Sequence, residues 1–447
     1  VSILIISLNL LVLAGLAWWL WKQDWEIRLR PYLIPALLLK LGCGLLFGVV
    51  SLYVLQKGDT FLYLGRAQLM LEVASEQGID TYLRYLLLND ASGTQLEGLQ
   101  RPIYESAWNM SKLFSIPMVL TQGNYFVSSL YLSLFSFAGL WFLVNALSRY
   151  FPTTAIPALI AFLLFPSVLY WSSGVAKESF IMGGTGLLLG SFLHLLYVGD
   201  WKRQLLYLVL FVVGVYVVWL VKYFVAVALI LMLVLALLLK AIFYTEKLRH
   251  IHPAVKAIVL MLLFSGVAYV GLQLNPNLYP EALPEAIYKN HQLSLRATQD
   301  KPRIDFPFLE PTYLSFALHS QLAFAGFLFR PFLWEVYNLR SFLAALENTL
   351  LLVLVFAFLR DLFQESRWNR THGYLLLAVL VYVFVMGVLL AYSMPNLGTL
   401  SRYRVVVLPF VVYLLLLCDT SYTFLRSIMP KGMQEEDELP VQQERVR

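Results

Sequence analysis

Charge is what this chain has least of. Asp, Glu, Lys and Arg together make up 13% of its 447 residues, about half the ~25% of an ordinary soluble domain. So sparse a supply cannot keep a folded surface in water. A soluble enzyme, a disordered segment and a nucleic-acid-binding domain are thereby excluded. Cysteine is nearly absent as well: Cys43 and Cys418 are the only two, and both fall inside apolar runs, so no disulfide framework braces the polar loops. There is no internal repeat, no Gly-rich phosphate loop and no Cys/His metal pattern. His250-Ile251-His252 has no third ligand in sight, and reads as two solvated histidines beside lipid headgroups. The apolar runs also lack the polar alternation that a membrane β-barrel needs.

What remains is hydrophobic. Apolar residues reach 60% and the mean hydropathy is +0.71, with 30 Phe, 26 Tyr and 11 Trp. Continuous stretches of about twenty apolar residues mark spanning helices. They predict an all-α polytopic membrane protein with about eleven spans: 1–21, 31–55, 122–146, 153–171, 180–198, 204–220, 223–241, 254–273, 341–360, 373–393 and 404–420. The first run has no small-residue cleavage site and ends in Trp18-Trp19-Leu20-Trp21, an interfacial belt. It reads as a retained additional helix (1–21) ahead of a main membrane domain (31–420) and a polar tail (421–447).

Half of the 33 Lys and Arg fall in one set of short linkers and the tail. That set covers about half as many residues as the segments on the other side, so its basic density is about twice as high. The linkers are therefore assigned to the cytoplasm. The N-terminus and the two long segments 56–121 and 274–340 are then outside, and the acidic tail (Glu435, Glu436, Asp437, Glu438) is inside. Within 56–121, Leu62, Leu69 and Val73 form one helical stripe, interrupted by Arg66. Tyr82, Leu83, Leu86 and Leu87 form another. Both suit helices lying along the membrane surface. The second segment begins Pro-rich, turns apolar over 315–329 and suits an interfacial or re-entrant element. Asn109-Met110-Ser111 is a glycosylation sequon, without meaning in a bacterium.

Four polar groups stand at the outer ends of helices. Asp59 follows Gly58 where the chain leaves the second span, and suits either a helix N-cap or a catalytic carboxylate. Lys177 and Glu178 open a helix after a very short turn. Glu is favoured at that positive end and Lys is not, so Lys177 needs either an anionic ligand or a nearby acid. Arg330 with Glu335, and Glu347 in the next span, suit a local ion pair as well as a site. Arg402, Tyr403 and Arg404 precede the last span, where two guanidinium forks could grip a phosphate or simply anchor the interface.

With these residues in view, the chain resembles the GT-C superfamily of membrane glycosyltransferases, which use polyprenyl-phosphate-linked sugars. The resemblance covers roughly 30–420. It rests on Asp59 at the head of an outer loop with surface-lying helices, on the Lys177-Glu178 turn, and on Arg330, Arg402 and Arg404 near later helix ends. The Ser-Ser-Gly…Lys-Glu-Ser, Arg-Pro-Phe-Leu-Trp-Glu and Arg-Tyr-Arg strings also look like those of bacterial membrane proteins of surface polysaccharide assembly. The chain departs from the pattern in its additional first span, in having Thr60 where a second acid would pair with Asp59, and in lacking a large outer domain after the last span. One acid per motif gives no ligand set for a divalent metal, so no cofactor is assigned.

The resemblance implies attack of an acceptor hydroxyl on the anomeric carbon of a lipid-linked sugar, outside the inner membrane. It implies Asp59 as base, Glu178 as second acid or acceptor orienter, and Lys177, Arg402 and Arg404 as phosphate clamp. Arg330, Glu335 and Tyr403 complete the substrate-binding candidates. The implied partners are a polyprenyl-phosphate sugar, a glycan or lipid acceptor, membrane lipids and polysaccharide-assembly proteins, with no nucleic acid. An O-antigen-type polymerase or ligase shares these substrates. A lipid or glycan transporter and a non-catalytic assembly subunit are the rivals from other classes.

Overall fold

The structure is a computed structural model describing residues 3–363 and 373–428, apart from 57, 98–104, 244, 246, 247, 249, 274 and 299–301. The acidic tail lies outside the described residues. Among those described the protein is helical, without strands. Eight helices are long and apolar enough to cross a membrane, or nine if one bent pair is a single span. The chain divides into two compact units, Val1–Tyr223 and Phe224–Gln434.

The first unit contains α1 (Ile3–Lys22), α2 (Arg30–Val49, running on as a wider π turn to Leu55), α3 (Asp59–Glu76), α4 (Ile79–Leu88), α5 (Ser106–Leu120) and α6 (Tyr125–Tyr150). These are followed by α7 (Ala155–Leu159), α8 (Pro166–Trp171), α9 (Lys177–Tyr197) and the first half of α10 (Trp201–Phe243). Its tightest seam is α6 against α9. A Cβ on Gly139 would stand 2.0 Å from the Gly183 carbonyl oxygen, and one on Gly186 would stand 2.2 Å from the Gly139 backbone. Small residues thus let the two backbones touch, the usual route to close packing where hydrophobicity itself gives no drive. Asn9 ties α1 to this unit: its amide donates to the Leu120 carbonyl at 3.1 Å, and Tyr131 donates to its oxygen at 2.9 Å.

Three of the expected spans take other forms here. Segment 153–171 is broken into α7, a π turn over Ile160–Leu164 and α8. Phe165 is extended (φ −61°, ψ 126°) because it precedes Pro166. Segments 204–220 and 223–241 fall in one 43-residue element, α10, whose helical geometry fails only at Lys222 (φ −147°, ψ 85°).

The two helices expected along the membrane surface form, but their buried faces differ from the expected stripes. On α3 the buried residues are Thr60, Tyr63, Ala67, Met70 and Val73, while Leu62 is exposed. On α4, Tyr82 and Tyr85 are buried, leaving Ile79, Leu83 and Leu87 exposed one turn apart. The aromatic rings go inward because Tyr85 and Trp108 bond to each other and pack with Met70 and Val73. The leucines then form the outward apolar stripe that an interfacial helix presents.

The second unit contains the rest of α10, α11 (Pro253–Leu272), α12 (Leu283–Ala297), α13 (Tyr313–Phe329), α14 (Leu339–Phe363), α15 (Gly373–Ser393), α16 (Leu397–Tyr403), α17 (Leu408–Leu416) and α18 (Asp419–Ile428). Apolar α13 has 17 residues, short of a span. The expected last span, 404–420, is instead part of a pair of helical segments, Leu397–Val406 and Leu408–Leu416, bent by 65°.

Candidate functional site

In the first unit the polar residues gather where α3, α5 and the head of α9 meet. Gly58, at φ +110°, takes the cap position of α3, so Asp59 is the first helical residue rather than the cap. Glycine suits that positive φ because it has no Cβ to clash. Asp59 is exposed at the positive end of the helix, where a carboxylate is stabilised. One turn further, on the same face, Tyr63 is buried. Its ring lies 5.7 Å from the Lys177 ammonium, which donates a 2.7 Å hydrogen bond to the Ser106 hydroxyl at the head of α5.

Arg66, three residues beyond Tyr63, stacks over the Trp108 ring at 4.6 Å and approaches Glu105 at 3.5 Å. Tyr63, Arg66, Glu105, Ser106 and Lys177 thus line one junction, with Asp59 one helical turn before Tyr63. Beneath it, Lys112 donates to Asn89 Oδ1 at 2.7 Å and to the Tyr85 carbonyl at 3.1 Å. Burial brings the Lys112 ammonium down to about 8. It also pushes the Tyr85 hydroxyl up to about 12, against the opposing pull of the Trp108 hydrogen bond and the Arg66 charge.

Glu178, next to Lys177, faces the other way. It is wholly buried and pairs with Lys222 at 3.3 Å. Lys222 stands at the break in α10. Two residues before the break, the Leu220 carbonyl accepts from Asn109 Nδ2 at 2.9 Å. The break is therefore braced from two sides, by α5 at a carbonyl and by α9 at the charge. The same bond occupies the Asn109 side chain, which is buried. Another buried cation, Lys40 of α2, bonds the Ser172 hydroxyl just before the turn that carries Lys177.

The other expected residues belong to the second unit. Arg330 Nε donates to Glu335 Oε1 at 2.8 Å, and Glu335 Oε2 accepts from the Phe332 amide at 2.8 Å. Burial raises the Glu335 pKa, but the Arg330 bonds and charge and the Phe332 amide outweigh it and hold the carboxyl below the usual range. Arg402 is half-buried, with its guanidinium 5.8 Å from the Tyr403 ring. Arg404 is wholly buried. The two arginines thus differ in burial, Arg402 keeping part of its surface open and Arg404 none.

Arg404 Nη1 donates to Asn348 Oδ1 at 2.8 Å and lies 3.2–3.4 Å from the carbonyls of Leu328, Phe327 and Arg330. These are carbonyls at the end of α13, which a helix leaves without partners of its own. Glu347 supplies the counter-charge at 3.9 Å.

Sequence reading missed Lys222, Asn109 and Arg66 as members of these clusters. Lys222 had one visible signal, a lone charge between two long apolar runs. Among the described residues no group of three His, Cys, Asp or Glu side chains could hold a metal ion. Comparison with protein-family models, with curated proteins and with solved structures finds no match for this chain.

Proposed function

We propose that the protein is an integral-membrane glycosyltransferase of the bacterial inner membrane, transferring a sugar from a polyprenyl-phosphate-linked donor to a glycan or lipid acceptor on the outer face. The observation that carries this reading is the Lys177 ammonium over the Tyr63 ring, one helical turn from the exposed Asp59, on a unit whose α4 carries an exposed apolar stripe suited to a membrane surface. Transfer needs a base for the acceptor and a cation for the leaving group. Asp59 takes the proton as the acceptor oxygen bonds to the anomeric carbon. The bond from that carbon to the phosphate oxygen breaks, and Lys177 receives the charge left on the lipid phosphate. Glu178, sequestered by Lys222, anchors the turn that presents Lys177.

The buried pair at a helix break favours a second reading, a glycan or lipid transporter, since broken helices recur at transport sites. Asp59→Asn separates the two. Asn keeps the size and polarity of Asp but cannot accept a proton as base, so sugar transfer in purified membranes is expected to fall at least about a hundredfold. Expression and folding should be unchanged. Full transfer by the Asn variant rejects the catalytic role. Loss of lipid-phosphate binding in Lys177→Met, with no transfer by the wild type, moves the assignment to transport.

A further inference from the structure

The segment 302–312 in the second unit forms a strap whose chemistry is independent of the transfer reading. One end is registered on the approach to α16: the Ile304 amide donates to the Pro395 carbonyl at 2.9 Å, and the Leu397 amide to the Pro302 carbonyl at 3.1 Å. Phe306 packs inward against Tyr392, His291 and His319, at ring separations of 5.0, 5.5 and 6.4 Å. The strap then turns at Pro307 and Phe308. Phe308 is 95% exposed and sits at φ +60°, a backbone region that bulky L-residues rarely occupy.

His319 of α13 holds this turn. Its Nδ1 lies 2.8 Å from the Ser315 carbonyl and its Nε2 3.0 Å from the Pro307 carbonyl. A carbonyl oxygen can only accept. A neutral imidazole has one N–H, so only the doubly protonated ring can donate to both oxygens. We infer that His319 is a proton-operated latch: charged, it ties the Pro307 carbonyl to α13 and holds Phe308 outward, and neutral, it keeps one bond and releases the strap. Protonation of the ring completes the latch, and loss of one proton undoes it.

The surrounding ionisable groups leave His319 as the operative one. On the strap are the Arg303–Asp305 pair, at 2.9 Å, and Glu310. Tyr313 on α13 and Tyr392 on α15 donate to the carbonyls of Pro280 and Phe316. His291 on α12 meets one carbonyl only, that of Tyr392, at 2.8 Å. Burial lowers its pKa, so it charges at a more acid pH than an ordinary histidine.

The test uses the full chain in detergent or nanodiscs, with hydrogen exchange of the strap amides followed from pH 5.5 to 8 and corrected for intrinsic exchange. Wild type is expected to lose about ten- to a hundredfold in protection as pH rises, the worth of one charge-assisted hydrogen bond. His319→Gln, which cannot bridge both carbonyls, should show low protection at both ends. His291→Gln should keep the pH response. Protection in wild type that does not change with pH, or a response that survives in His319→Gln, overturns the latch. Nitrogen-15 spectra of the histidine-labelled wild type give a second reading that needs no variant. Two protonated ring nitrogens on His319 at pH 5.5 are expected, and a neutral ring there also overturns it.

Discussion

An ammonium inside an apolar bundle needs an acid, and α10 contains none over its 43 residues. Lys222 finds Glu178, 44 positions earlier. Both side chains are out of water, so each is held by the other, and loss of one partner leaves an unpaired buried charge. Glu178→Leu and Lys222→Met should each destabilise the protein by about 3–5 kcal/mol, whereas the double variant Glu178→Leu/Lys222→Met should recover most of that loss. Thermal unfolding of the three in the same detergent measures the coupling. Simple addition of the two single losses would show that the pair does not act as a unit.

Helices here are positioned by what their ends and small residues permit. Arg404 gathers the carbonyls at the end of α13, so a residue legible as a phosphate ligand also serves as a helix terminator. Its neighbour Arg402 remains half-buried beside Tyr403. The α6–α9 seam rests on Gly139, Gly183 and Gly186. A β-branched side chain at Gly186 would meet backbone rather than a side chain that can swing away. Gly186→Val should therefore force the helices apart and lower stability by several kcal/mol, at or above the 1–3 kcal/mol typical of overpacking. Gly15→Val on α1 is the matched control, since a Cβ there meets nothing within 4 Å. Equal thermal stability of the two variants would show that the seam tolerates separation.

For the molecule as a whole, the distribution of Lys and Arg predicts an outside N-terminus and a cytoplasmic tail. Ser92→Cys should react with a membrane-impermeant thiol reagent in sealed cells, and Glu436→Cys only after permeabilisation. Reaction of Glu436→Cys from outside would reverse the topology and put Asp59 and Lys177 on the cytoplasmic face, beyond reach of an outward-facing donor.

Run length and composition sufficed for the helical class, because an apolar stretch of about twenty residues has its backbone bonds satisfied within itself whatever surrounds it. The same reasoning located α3 and α4 from their amphipathic spacing, and Asp59 and Lys177 from their places at helix starts. It could not choose which side of α3 turns inward, since Leu62 and Tyr63 are both apolar enough and the partner rings of α5 decide. Nor could it tell that Asn109 supports a broken helix, that Glu178 answers Lys222, or that Arg404 is spent on the carbonyls at the end of α13. Those outcomes depend on groups separated by 44 to 111 positions, where burial removes water as an alternative partner and only tertiary packing decides which donor meets which acceptor.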